Sequence, residues 1–159
     1  MPKQKPGRSK QDYATPVEFM DAAKNYLGIS AFEADFAADV QNAKGLLYWD
    51  IEIDSLSMNR GSWRAIVANG WGWLNPPFAH ITPWAKRCKE LKEDGGKIAL
   101  LVPAAVGSNW FRDYVFRVAN VIALNGRLSF DGIAPYPKDC MLCLYGDEPG
   151  FDVWNWRNA

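Results

Sequence analysis

The hydrophobic pattern alternates along the chain between the period of a strand and the period of a helix. Phe32, Ala34 and Phe36 interleave with Glu33 and Asp35, which predicts a half-buried strand over 32–37. Ile98-Ala99-Leu100-Leu101-Val102 is continuously apolar between a glycine pair and a proline, as a strand buried on both faces requires. Residues 71–74, 118–124 and 140–145 read as further strands. Helix starts lie between them. Thr15-Pro16-Val17-Glu18 combines a capping residue, proline at the first helical position and capping-box spacing, and the helix should stop after Leu27 at Gly28. Thr82-Pro83 opens a second helix that ends at Gly95-Gly96, and Ser108 caps a third. Residues 39–62 are irregular apart from a short apolar run at 46–49, and 63–68 is amphipathic without a clear period. Residues 151–156 read as an aromatic tail packed back on the body.

Strands alternating with helices predict an α/β fold, a single domain whose largely parallel sheet is flanked by helices. Ligands of such sheets sit outside the carboxyl ends of the strands. Asp35, Asn75 and Pro103 all fall at or just beyond predicted strand ends. Three features therefore converge on one edge.

Composition narrows the picture only slightly. With 159 residues, 48% hydrophobic and 23% charged, the chain is an ordinary globular domain. No stretch is apolar for the length of a bilayer, and the N-terminus is basic rather than signal-like, so a soluble, non-exported chain is expected. Three cysteines, Cys88, Cys140 and Cys143, suit a reducing cytoplasm. Cys140 and Cys143 lie three apart on a strand and should face opposite ways, which argues for structural cysteines rather than a metal or redox pair. The net charge of zero is unevenly spread. Lys3, Lys5, Arg8 and Lys10 are four of the 18 cations, so the remainder carries 14 against 18 acids, a net of −4. Residues 1–12 thus read as a flexible basic arm, suited to phosphates, on a mildly acidic domain spanning 13–159.

The chemistry concentrates in Asn75-Pro76-Pro77-Phe78, at the end of the run Trp71-Gly72-Trp73-Leu74. Each proline drives the residue before it out of the helical region and lacks an N–H of its own. The result is a rigid extended corner offering an amide side chain, an outward carbonyl and an aromatic ring. Two acceptors beside a flat ring suit a planar group bearing –NH2. The plainer alternative is a strand terminator with a Pro-Pro turn.

Further residues carry a resemblance. Thr15-Pro16 with Phe19, Phe36-Ala37-Ala38-Asp39 after Asp35, Asn42-Ala43-Lys44, Asn75-Pro76-Pro77-Phe78, Pro83-Trp84 with Lys86, Leu101-Val102-Pro103, Trp110-Phe111 and Gly126-Arg127-Leu128 with Phe130 follow one another in order. In this the chain resembles the phage-type DNA N6-adenine methyltransferase family over roughly residues 13–145. The resemblance implies a Rossmann-like methyltransferase fold, S-adenosylmethionine as methyl donor, DNA as partner and the host cytoplasm as location. It implies no metal and no membrane. Asn75 Oδ1 and the Pro76 carbonyl would accept the two N–H groups of a flipped adenine, with Pro77 holding the corner and Phe78 stacking on the base. Thr15, Phe19 and Asp35, with Asp54, would surround the cofactor. No Phe-x-Gly-x-Gly loop follows the first strand, where Asp35-Phe36-Ala37-Ala38 stands instead.

Lys86, Arg87 and Arg127 are the candidate DNA contacts, the first two because their helix begins just after the corner. His80 reads as a residue of the approach to that helix rather than a base. No segment is long enough for a separate target-recognition domain, so sequence preference should be short or loose unless a homodimer supplies more surface. Asn-Pro-Pro-aromatic corners also serve methyl transfer to cytosine N4 or a glutamine amide, and an inactive nucleic-acid-binding module on the same fold is a further alternative.

Overall fold

A computed structural model describes residues 15–37, 45–48, 55–130 and 134–158, with the backbone alone for 45–48. The basic arm expected over 1–12, and Asp54, lie outside the described residues. Seven strands form one sheet: β1 (Phe32–Asp35), β2 (Gly45–Tyr48), β3 (Trp71–Leu74), β4 (Lys97–Pro103), β5 (Asn120–Leu124), β6 (Cys140–Tyr145) and β7 (Gly150–Trp154). Their order is β2-β1-β3-β4-β6-β5-β7. Neighbours pair in parallel except that β6 runs antiparallel to both β4 and β5. The sheet is therefore largely parallel, as expected, with one reversed strand in its interior. The fold is Rossmann-like.

Period-two alternation sends the side chains of β3, β4, β5 and β6 into two separate cores. Phe36, Leu74, Ile98, Leu100, Val102 and Val121 pack on one face with α2 (Arg60–Val67) and α3 (Thr82–Glu93). Phe32, Trp71, Trp73, Ala99, Leu101 and Ile122 pack on the other with α1 (Val17–Leu27). Trp110 and Phe111 of the short α4 (Asn109–Tyr114) lean on the first core. Cys143 joins the first core and Cys140 the second, the opposed placement that their spacing on a strand dictates. Among the described residues, no helix is long and apolar enough to cross a membrane.

Two expected caps are corrected. The residue preceding α1 is Pro16, and no side chain caps that helix, because Thr15 lies one residue too far out. Ile81 precedes α3, so Thr82 stands inside the helix rather than at its cap. Ser108 does cap α4, its hydroxyl accepting from Phe111 N at 3.3 Å. Gly28 closes α1 with φ of 70°, the left-handed value that favours glycine. The segment of unclear period becomes α2, and the aromatic tail becomes an added strand, β7, in parallel with β5.

Candidate active site

The ends of β1 and β3 lie level, paired in parallel. Phe36 N donates to Trp73 O at 3.1 Å, and Asp35 pairs in register with Trp73. The chain therefore leaves β1 at Asp35 beside the point where it leaves β3 at Asn75. Thr15 reaches the same place from the approach to α1. Asn75 Nδ2 donates to Thr15 Oγ1 at 3.4 Å, across 60 residues of sequence.

Burial singles out the same positions. The buried polar residues are Thr15 at 4% exposure, Asp35 at 3%, Ser55 at 0% and Asn75 at 9%, among the described residues. Buried polar groups are costly unless engaged, so each points to structure or function. Ser55 is structural, because its hydroxyl donates to Phe36 O at 2.6 Å and its own carbonyl accepts from Trp63 Nε1 at 2.9 Å. These bonds pin the exit of β1 to α2, reinforced by Phe36 stacked on Trp63 at 4.0 Å and 10°. Asp35 was expected on the open face of a half-buried strand; it is instead nearly inaccessible, and its Oδ1 accepts from Ala37 N at 3.3 Å. That bond fixes the carboxylate as the chain turns off the strand.

Pro76 is buried and Pro77 half-buried. Pro77 O accepts from His80 N at 3.2 Å, which commits the second proline's carbonyl to the turn into α3. Asn75 Nδ2 is directed to Thr15, and the amide's Oδ1 is fully buried. Phe78 is half-buried rather than splayed out. Its ring meets Phe130 edge-on at 6.1 Å and Tyr136 at 5.5 Å, and Phe130 meets Tyr136 at 5.7 Å. Tyr136 N donates to Leu128 O at 2.6 Å. Burial, with Cys140 nearby, pushes the Tyr136 hydroxyl above its ordinary pKa. Tyr136 escaped the sequence reading; its only signal is an aromatic between Pro135 and Pro137.

A model of the DNA N-6-adenine-methyltransferase (Dam) family matches residues 3–139. The chain belongs to that family. It is thereby an adenine-specific DNA methyltransferase, and the cytosine, glutamine and inactive alternatives fall behind. No curated protein matches the chain.

For a DNA adenine methyltransferase, the remaining expected positions divide sharply. Phe19, expected beside the cofactor, has 0% exposure and sits in the core, edge-on to Trp156 at 5.2 Å and tilted on Trp73 at 6.5 Å. Its inward position at helical spacing makes it a support of α1. Arg87, expected at phosphate, points into the protein. Its nitrogens donate to Met58 O at 2.7 Å, Leu56 O at 3.2 Å and Glu90 Oε1 at 3.3 Å, and its guanidinium lies 5.3 Å over Trp63. It clamps the chain before α2 onto α3. Lys86 is exposed on α3. Arg127 is also exposed, on the turn after β5, where Nε donates to Asp139 Oδ1 at 3.2 Å.

Proposed function

We propose that the chain methylates adenine N6 in DNA with S-adenosylmethionine as donor, on a base turned out of the duplex into the Asn75–Phe78 corner. The observation that carries this reading is the hydrogen bond between buried Thr15 and Asn75 at the end of β3, beside the end of β1 where Asp35 is buried. Their donor set fits the cofactor. A buried carboxylate fixed at a strand end suits a ribose diol, and the small Ala37 beside it allows close approach. Thr15 and Asp35, with Asp54, are the cofactor residues in this reading.

S-adenosylmethionine supplies an electrophilic methyl group on a sulfonium. The adenine amine is a poor nucleophile because its lone pair is delocalised into the ring. Asn75 Oδ1 and Pro76 O counter this by accepting from the two N–H bonds, which favours a pyramidal nitrogen with its lone pair aimed at the methyl carbon. When bound, the cofactor would supply that methyl group to the nitrogen, and the amine would release one proton to solvent. Thr15 keeps the Asn75 amide in the orientation that presents oxygen rather than nitrogen to the base. Phe78 offers its face to the base, and Phe130 and Tyr136 brace that ring. Stacking of this kind contributes about 1–3 kcal/mol, set against an unstacking cost of a few kcal/mol. Rate enhancement comes from positioning and fixed dipoles.

The test is transfer of labelled methyl groups to unmethylated duplex DNA, followed by nucleoside analysis. N6-methyladenine as the labelled product supports the reading; label in cytosine or in protein contradicts it.

A further inference from the structure

We infer that the C-terminal strand and turn form part of the DNA-binding surface, with Arg157 gripping a backbone phosphate beside Arg127. This rests on the adenine methyltransferase reading above and extends it to a segment beyond residues 3–139, the span of the family match. β7 runs parallel to β5, so its carboxyl end emerges on the same edge as Asn75. A 3-10 turn, Trp156–Asn158, then folds against the turn after β5. Trp156 anchors it. The ring is 3% exposed and edge-on to Phe19, and Nε1 donates to Gly126 O at 2.9 Å.

The next residue is held in place yet left charged. The Arg157 guanidinium lies 4.5 Å over the Trp156 ring, and Nη2 donates to Arg127 O at 2.9 Å. Gly126 has φ of 113°, and a Cβ there would stand 2.5 Å from Arg157 Nη1, so the turn is shaped around the guanidinium. Among the described residues, Arg60, Arg87, Arg112 and Arg127 each have a carboxylate within ion-pair distance, whereas Arg157, like Arg64 and Arg117, has none. An exposed guanidinium fixed by stacking and one hydrogen bond still has donors to offer, and it loses little freedom when it binds. Arg127 supplies the backbone carbonyl that fixes Arg157 at the edge that carries the corner, while the Arg127 side chain pairs with Asp139.

Geometry gives the contact a place on DNA. Four strand spacings separate β3 from β7, about 19 Å at about 4.8 Å each. One DNA strand rises about 3.4 Å per nucleotide, so the phosphate lies roughly five or six nucleotides from the target base.

Equilibrium binding of a short duplex over a salt series, with steady-state methylation kinetics, tests this. Arg157→Ala should weaken binding about 5- to 10-fold at low salt. The slope of log K against log salt should become shallower by about 0.9, the loss of one phosphate contact. KM for DNA should rise while kcat holds, and Arg157→Lys should restore the slope. Thermal melts show that each variant is folded. If Arg157→Ala is not, Arg157→Gln keeps a stacking amide without charge and must show the same shallower slope. Unchanged affinity and slope overturn the inference, as does a fall in kcat with the slope intact. Wild-type protein that makes no N6-methyladenine defeats the functional reading instead; wild-type methylation with an indifferent Arg157 defeats this inference alone.

Discussion

Asn75 and Thr15 lie 60 residues apart and share one hydrogen bond, and that bond gives an ambiguous amide a direction. Asn75 was legible because Asn-Pro-Pro-Phe restricts the backbone so strongly. Thr15 was legible as a cofactor residue through the resemblance; the helix cap also expected of it is absent, and its hydroxyl accepts from the Asn75 amide. Arg87 turns inward onto Met58 O and Leu56 O, a direction that the sequence, which reports only a charge, does not show. Tyr136 and Arg157 carried no pattern at all; only tertiary contact brings them to the strand edge. At this scale the proposed ribose role of Asp35 is testable by ligand-dependent melting. Saturating cofactor at about 100 times Kd should stabilise the wild type by about 2.7 kcal/mol. Asp35→Ala should lose hydrogen bonds to a charged acceptor worth about 1.5–3 kcal/mol each and raise Kd at least about tenfold. A wild-type-sized shift in that variant would remove Asp35 from the site.

Individual elements were legible wherever burial imposes a period. The continuous apolar run of β4 and the alternation in β1 both became strands, and the proline start and glycine stop of α1 held to within a residue or two. Direction was not legible, since a period of two is the same in either sense, and β6 is reversed between parallel partners. β7 was hidden because Phe151 and Val153 are 65% and 61% exposed, so no buried stripe marks it. Its outer edge carries its own protection: the Asp152 carboxylate accepts from Val153 N at 2.8 Å, which withdraws a donor from edge pairing. β3 makes a sharper element-scale prediction. A Cβ on Gly72 would meet Val67 Cγ1 at 3.0 Å, Phe36 Cε2 at 3.1 Å and Ile98 Cγ1 at 3.3 Å. Gly72→Ala overpacks that contact and should cost about 1–3 kcal/mol, lowering Tm by roughly 3–10 °C in thermal denaturation. An unchanged Tm would show that these neighbours yield freely.

Across the whole molecule, two cores lock the sheet between α1 on one face and α2, α3 and α4 on the other, and the site lies where both cores meet at Phe78. The first core also holds ionisable groups that must stay neutral. Burial pushes the Cys88 thiol and the Tyr145 hydroxyl well above their ordinary pKa values, and Tyr145 Oη donates to Tyr114 O at 2.8 Å. The folded state therefore retains protons that the unfolded chain releases from about pH 8.5 upward. Stability from these groups is complete below that range and falls as pH rises. Urea midpoints should be lower at about pH 9.5 than at about pH 7.5, with a flatter dependence in Cys88→Ala. The central claim is that this frame exists to aim the Asn75 amide at an adenine amine. Single-turnover methyl transfer by Asn75→Ala, with DNA and cofactor both saturating, tests it most directly. The predicted result is a fall of about 100- to 1000-fold in the chemical rate, the usual cost of losing one preorganised hydrogen-bonding group at a reacting centre, with cofactor-induced stabilisation unchanged. A rate within a few-fold of wild type would contradict the account.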